Sequence, residues 1–129
     1  MDKKPLILLV DDEPDILELY KMKLEAAGME IITSTNGAEG IHIAAEKNPD
    51  LVIMDIKMPV MNGVEAFIKL KENPATKNIK VVFFTAFADL DKSDVDVKYA
   101  KDIGAADFLR KGMDLNEFVS EIKKHLGVS

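Results

Sequence analysis

The segment "LILLVDDEPDI" (residues 6–16) decides the fold of this chain, because five apolar residues run directly into three consecutive acids. A continuous apolar run of this length is typical of a strand that is buried on both faces of a parallel sheet. Asp11, Asp12 and Glu13 repel one another, by roughly 1 kcal/mol in water and about 4 kcal/mol near a protein surface for charges ~4 Å apart. The acids are therefore either solvated at a strand end or placed to hold something positive.

Four more short apolar runs follow, and stretches with helical spacing separate them. The runs are "EIITS" (30–34), "LVIM" (51–54), "VVFF" (81–84) and "DFL" (107–109). The helical stretches end at Gly28, "KNPD" (47–50), "ENPAT" (72–76), Gly104 and Gly127, and the fourth is marked by Val95, Tyr99 and Ile103. Asp114 is the expected N-cap of the last. Five strand–helix alternations predict a (βα)5 fold, a doubly wound five-stranded parallel sheet with helices on both faces.

Composition indicates a single globular domain over residues 1–129. The chain has 129 residues, 47 % hydrophobic and 31 % charged, and the apolar pattern places the core at about residues 5–126. No apolar run approaches the ~18 residues of a membrane span, so no membrane association is expected. The five-residue run after Lys3 and Lys4 is too short for a secretory signal peptide.

Charge and cysteine content restrict the partners and the compartment. The formal net charge is −6 and the lysines are spread along the chain, which argues against direct nucleic-acid binding, since that needs a basic face. The absence of cysteine excludes a disulfide framework and fits a reducing compartment. A cytoplasmic location is therefore expected.

Polar side chains follow four of the five predicted strands. The first run ends on Asp11 and Asp12, the third on Asp55, the fourth on Thr85 and the fifth on Lys111. Right-handed crossovers bring the carboxyl ends of parallel strands to one edge of the sheet, where ligands bind in open α/β folds. Any one of these residues alone is more often a solvated strand end, but their joint occurrence favours a functional site.

The residue types at this edge suit phosphoryl chemistry assisted by a metal. Grouped carboxylates favour a hard cation, and Mg²⁺ binds one or two carboxylates while keeping water and phosphate oxygens as ligands. A carboxylate beside Mg²⁺ can also attack phosphorus and form an aspartyl-phosphate. The phosphoryl oxygens then need positive or donor partners, which Lys111, Thr85 and the metal can supply. We therefore predict a Mg²⁺ site, with Mn²⁺ as the alternative ion.

Four segments resemble the landmark motifs of response-regulator receiver domains, which accept phosphoryl groups in two-component signalling. They are "LLVDDEPDI" (8–16), "LVIMDIKMPVMNG" (51–63), "VVFFTAF" (81–87) and "GAADFLRK" (104–111). The resemblance runs from residue 6 to about 126. It implies a flavodoxin-like sheet with strand order 2-1-3-4-5.

The resemblance implies a role for each residue at the sheet edge. Asp55 would be the phosphoacceptor, which receives a phosphoryl group from the phosphohistidine of a histidine kinase or of a phosphotransfer protein. Asp12 and Asp55 would bind Mg²⁺ directly, together with the backbone carbonyl of Lys57, and Asp11 would act through water. Lys111 would pair with the phosphoryl group.

The switch and the loop after the phosphoacceptor are implied in the same way. The Thr85 hydroxyl would turn toward a phosphoryl oxygen and draw the following loop inward. Phe108 occupies the aromatic switch position that packs inward when Thr85 moves, although it lacks the hydroxyl of the tyrosine often found there. Pro59 and Gly63 would shape the loop that follows the phosphoacceptor.

Two positions would tune the lifetime of the phosphorylated form. Lys57 and Phe87 lie two residues beyond Asp55 and Thr85, beside the path of the attacking water, and the ring of Phe87 predicts slow self-dephosphorylation. Packing of that ring on the neighbouring loop is the alternative.

The resemblance also implies what such a domain does. Phosphorylation would favour the form in which the surface of the fourth helix, fifth strand and fifth helix binds an output protein or domain. The protein would be a signalling switch rather than an enzyme, because it catalyses only its own phosphorylation and dephosphorylation. We expect a monomer before phosphorylation, with a dimer after it as an alternative.

Two features depart from the usual pattern of the family. Receivers usually follow the lysine with proline in a cis peptide, whereas this chain has Gly112. A cis bond before a non-proline residue costs roughly 2.5–4 kcal/mol, so a trans Lys111–Gly112 bond is predicted. The stretch from Thr85 to Ala105 is a few residues longer than usual, which indicates either an altered switch or a tolerated surface insertion.

The sequence also suggests three alternative functional classes, which fit it less well. The two departures keep open a phosphorylation-independent, receiver-like interaction module. An FMN carrier of flavodoxin type would need a phosphate-binding loop where this chain has "DDEPD" (11–15), and an aspartyl phosphatase usually has a second aspartate where this chain has Lys57. His42 and His125 are interpreted as residues without a ligand-spaced companion, and Asn36-Gly37 and Asn62-Gly63 as turns.

Overall fold

Five strands and four helices are present in residues 4–86, 98, 101–102 and 104–128, the part of the chain that the computed structural model describes. The strands are β1 (Leu6–Val10), β2 (Glu30–Ser34), β3 (Leu51–Met54), β4 (Lys80–Thr85) and β5 (Asp107–Arg110). The helices are α1 (Pro14–Ala26), α2 (Gly37–Lys47), α3 (Gly63–Glu72) and α4 (Leu115–Leu126). Val95, Tyr99 and Ile103, which mark the predicted fourth helix, lie outside the described residues, as does most of the lengthened stretch after Thr85.

All five strands are parallel and pair in the order β2-β1-β3-β4-β5. This is the order that the resemblance implied, and the predicted strand positions are confirmed to within one residue. β3 lies at the centre, and all four of its residues are buried. The predicted doubly wound α/β fold is therefore correct, and the carboxyl ends of β1, β3, β4 and β5 lie along one edge.

Each face of the sheet carries its own hydrophobic core. Successive side chains of a strand point to opposite faces, so the continuous apolar run of β1 supplies both cores. Leu8 and Val10 pack with α2 and α3, whereas Ile7 and Leu9 pack with α1 and α4. Among the described helices, none is long and apolar enough to cross a membrane.

Polar caps fix where three helices begin. The side chain of Asn36 accepts from the N–H of Glu39, and Asn62 and Glu65 form a reciprocal capping box. The predicted cap of the last helix is confirmed, because Asp114 accepts from two N–H groups of its first turn. The two Asn-Gly pairs are therefore helix starts rather than simple turns.

Gly63 begins α3 where the helix passes directly beside the loop after β3. Its N–H donates to the carbonyl of Ile56 at 2.8 Å, and a Cβ placed on this residue would overlap the backbone oxygen of Asp55. This close approach confirms the expected part of Gly63 in shaping the loop.

We predict that Gly63→Ala lowers the free energy of unfolding by about 3 kcal/mol, because the backbone of Asp55 must move to admit the methyl group. Gly28→Ala is the control, since its Cβ would meet nothing within 4 Å and only its φ of +97° is unfavourable, at roughly 1 kcal/mol. Urea unfolding of both variants measures the difference. Equal losses would show that the contact with Asp55 is not what requires glycine.

Candidate functional site

The backbone carries each predicted site residue to the same edge of the sheet. Strand pairing continues just past the strand ends, since the N–H of Asp11 donates to Ser34 at 3.1 Å and that of Asp55 to Val10 at 3.0 Å. On the other side of the edge, the N–H of Lys111 donates to the carbonyl of Thr85 at 2.8 Å. The site residues therefore sit on rigid strand ends rather than on free loops.

Three carboxylates meet at this edge, as predicted. Asp11, Asp12 and Asp55 each offer one oxygen, and the three oxygens lie within 4.8 Å of one another. Asp11 is fully buried, Asp55 is 3 % exposed and Asp12 is half-buried. Three acids at such a distance and depth require positive charge nearby.

Lys111, which directly follows the edge strand β5, supplies that positive charge. Its Nζ lies 2.7 Å from Oδ2 of Asp11 and donates to Oδ2 of Asp55 at 3.0 Å, while Glu13 lies 3.5 Å away. The ammonium also lies 5.3 Å from the centre of the Phe84 ring. Lys111 therefore bridges the two buried acids.

Burial and the lysine act in opposite directions on the acids. The pKa of Asp55 is raised to about 6 overall. Burial raises it most, repulsion from Asp11 and Asp12 raises it further, and the Lys111 ammonium lowers it. Burial also raises the pKa of Asp11, again against the effect of Lys111. Burial lowers the pKa of Lys111, but its contacts with Asp11 and Asp55 outweigh this and raise it overall. One lysine thus only partly offsets the burial of the acids.

The residues present fit a hard divalent cation. Oδ2 of Asp11 is buried and has a charge partner in Lys111, yet no hydrogen bond of suitable direction reaches it. A buried oxygen without a hydrogen bond is costly unless something else binds it. Because all the grouped ligands are carboxylates, the site suits Mg²⁺ or Mn²⁺ better than a softer metal.

The predicted switch residues lie on β4 and β5. Thr85 is fully buried at the end of β4. Phe108 is half-buried, stacks on Phe83 with ring centres 5.5 Å apart, and packs against the core beneath α2 and α3. The Nζ of Lys101 lies over the Phe108 ring, 5.6 Å from its centre. The switch role of Phe108 stays a prediction.

The residues expected to tune the site are placed less closely. Lys57 is exposed two residues beyond Asp55, and the role of its carbonyl stays a prediction. The predicted role of Phe87 falls outside the described residues. The carbonyl of Pro59 accepts from the N–H of Met61 at 2.8 Å, which places the fully exposed Val60 at a φ of +69°. This tight three-residue turn is how Pro59 shapes the loop.

The loop after Lys111 holds a contact that the sequence pattern did not indicate. The described residues contain no cis peptide bond, so the Lys111–Gly112 bond is trans, as predicted. The N–H of Gly112 donates to the hydroxyl of Tyr20 at 3.2 Å. Helical spacing places Tyr20 among the buried residues of α1 but gives no sign of this hydrogen bond.

The interpretation of the two histidines as residues without companions was wrong. His42 is exposed, and its Nε2 lies 3.5 Å from Oε2 of Glu46, four residues further along the same helix. The Nε2 of His125 lies 2.8 Å from Oδ2 of Asp107, and Glu121 completes a group of three ligand atoms within 4.8 Å. Glu121 is four residues earlier on the same helix, a spacing that could have been noticed. This contact joins α4 to the start of β5, at the end of the sheet away from the three acids.

Comparisons with known proteins agree with the geometry. Residues 7–123 match the family described as the response regulator receiver domain. The sporulation initiation phosphotransferase F of Bacillus subtilis is 32 % identical over 93 % of this chain and 92 % of its own length. The polar-differentiation response regulator DivK of Brucella anthropi is 31 % identical over 94 % of this chain and 95 % of its own length.

A solved structure shows the same fold at lower identity. It is the receiver domain of the sensor histidine kinase PA1611 from Pseudomonas aeruginosa PAO1, with a magnesium ion coordinated in its active site cleft. It is 22 % identical, with a TM-score of 0.86 over 97 % of this chain and 99 % of that one. The match to the family and the two relatives above 30 % identity decide the assignment. The chain belongs to the family of response regulator receiver domains.

Proposed function

We propose that this chain is a signalling switch that accepts a phosphoryl group on Asp55. The donor would be the phosphohistidine of a histidine kinase or a phosphotransfer protein, and the reader an output protein or domain. The observation that carries the proposal is the group of three carboxylates, Asp11, Asp12 and Asp55, in which the ammonium of Lys111 bridges Asp11 and Asp55. Asp11 and Asp12 would help to hold the metal ion, Lys111 would pair with the phosphoryl group, and Asp55 would be the acid that reacts.

The transfer is a displacement at phosphorus. A carboxylate oxygen of Asp55 forms an O–P bond as the P–N bond to the donor histidine breaks, and the electron pair leaves with the imidazole nitrogen. Lys111, which donates to Asp55, would turn its ammonium to a phosphoryl oxygen. Asp12, Asp55 and the Lys57 carbonyl would hold Mg²⁺ or Mn²⁺ directly and Asp11 would hold it through water, and the ion would neutralise charge at the phosphoryl oxygens.

The same residues would reset and transmit the state. Attack of water on phosphorus would break the O–P bond, release inorganic phosphate and return the Asp55 carboxylate, so the chain would act only on itself. Thr85 is joined to Lys111 through its carbonyl, and its hydroxyl would bind a phosphoryl oxygen in the active form. Phosphorylation favours that form only as far as these contacts are better made in it.

Two comparisons support the proposal. A relative is named as a phosphotransferase, and the receiver domain of PA1611 holds magnesium in its cleft. The absence of cysteine in this chain supports a cytoplasmic site of action.

The first prediction is that the protein gains the mass of one phosphoryl group when it is incubated with acetyl phosphate and Mg²⁺. Asp55→Asn should gain none, because the amide is not a nucleophile toward phosphorus, and EDTA should prevent the gain in the wild type. Intact-mass spectrometry measures all three samples.

The control for labelling elsewhere is Asp50→Asn, which changes an exposed aspartate at the opposite end of β3 and should be labelled like the wild type. A folded, Mg²⁺-binding wild type that gains no mass would contradict the proposal. It would leave the phosphorylation-independent interaction module as the function to test, by direct capture of a binding partner.

Mg²⁺ affinity should fall as the pH drops through about 6, because burial raises the pKa of Asp55 to that value and a protonated carboxyl does not bind the ion. Well below that pH the dissociation constant should rise roughly tenfold per pH unit for each proton displaced. Calorimetric titrations with Mg²⁺ between pH 5 and pH 8 measure it. A constant affinity across this range would contradict a direct role for Asp55 as a ligand.

Asp55→Asn should stabilise the metal-free protein at pH 7.5 by about 2 kcal/mol, because the folded state then no longer holds a poorly solvated charge. A group with a raised pKa stabilises the folded state only while protonated, so this contribution is full below its unfolded pKa of 3.8 and is lost as the pH rises through about 6. The gain should therefore shrink as the pH falls from 6 toward 4. Urea unfolding in EDTA measures it, with Glu25→Gln on the exposed side of α1 as the control.

A further inference from the structure

We infer that Tyr20 is a positioning residue for Lys111, acting through the N–H of Gly112. This inference rests on the proposed function, because it concerns how the lysine of that site is held. The contact that carries it is the hydrogen bond of 3.2 Å from Gly112 to the hydroxyl of Tyr20. Gly112 follows Lys111 directly, so the bond fixes the backbone one residue beyond the lysine.

The ring of Tyr20 is rigidly held, so its hydroxyl is a fixed anchor. The residue is 2 % exposed. Its ring packs edge-on against Phe84 of β4, with centres 5.3 Å apart, and against Phe118 of α4, at 4.8 Å. Edge-on contact is a preferred geometry of aromatic pairs, so both neighbouring rings favour the observed position of Tyr20.

Tyr20 and Lys111 both contact the ring of Phe84. Phe84 contacts the ring of Tyr20 on one side and lies beneath the Lys111 ammonium, 5.3 Å from its centre. The main chain of Lys111 is held from the other direction by its N–H bond to Thr85. Lys111 is thus fixed by a bond at its own nitrogen and by one at the next nitrogen, and its side chain then reaches the two buried acids.

This arrangement depends on the glycine that replaces the usual proline. Gly112 has a φ of +89°, which the ring of proline cannot adopt, and proline has no N–H to donate. The hydrogen bond to Tyr20 therefore requires a residue at position 112 that has an N–H and can adopt a positive φ. A tyrosine hydroxyl on α1 thereby becomes part of the support for the phosphoryl site.

The test is Tyr20→Phe, which keeps the aromatic contacts and removes only the hydroxyl. We expect the phosphorylation rate constant with acetyl phosphate at saturating Mg²⁺ to fall about fivefold, since the loss of one hydrogen bond is transmitted to Lys111. We also expect hydrogen exchange at the Gly112 amide, followed by NMR, to become faster. The protein used is the full chain.

The matched control is Thr76→Val, which removes another buried hydroxyl whose bond to the carbonyl of Leu70 is 2.6 Å long. Thr76 precedes β4, at the end of the sheet away from the acids, so its loss should lower stability without slowing phosphorylation. A purely structural role for Tyr20 would slow both variants equally or neither.

The outcomes separate the two proposals. A slower reaction and faster Gly112 exchange in Tyr20→Phe alone support the inference. A wild type that reacts and a Tyr20→Phe variant that reacts as fast, or no more slowly than Thr76→Val, overturn the inference alone. An inert wild type overturns the proposed function, and the positioning role of Tyr20 in that reaction with it.

Discussion

The ion pair between the Lys111 ammonium and the buried carboxylates of Asp11 and Asp55 is the interaction on which the site depends. The two acids follow β1 and β3, and the lysine follows β5, so the ion pair links the ends of three strands across the edge of the sheet. Without a positive group, burying acids this close would oppose folding. The lysine makes the cluster tolerable but leaves an excess of negative charge, which a divalent cation can offset.

The fold tolerates the unbalanced charge at this edge because its stability comes from the two hydrophobic cores. β1, β3 and β4 are buried on both faces and form two separate cores, each closed by a pair of described helices. These cores are apolar, so they hold the strand ends in place whether or not the charges at the edge are balanced. Fold and chemistry are therefore supplied by different parts of the same strands, the apolar residues within them and the polar residues just beyond.

Residue patterns predicted the strands well because a strand buried on both faces has almost no freedom in composition. The edge residues Asp11, Asp55, Thr85 and Lys111 followed from the rule that parallel strands end together, whereas the strand order came from the resemblance alone. The contacts that were missed link residues far apart in sequence. Tyr20 and Gly112 are separated by 92 positions, and His125 and Asp107 by 18. Periodicity places a side chain on a face, but it does not say which atom its hydroxyl or ring nitrogen will meet.

The hydrogen bond between Gly112 and Tyr20 also makes two distant positions energetically coupled. With proline at position 112 and Tyr20 unchanged, the buried hydroxyl would lose the N–H that now donates to it, and the loop would lose its positive φ. With Tyr20 replaced and Gly112 kept, the glycine would have an unanchored and very free backbone. Either single change is unfavourable, so exchanging this pair for the usual proline motif without loss of stability requires both changes together.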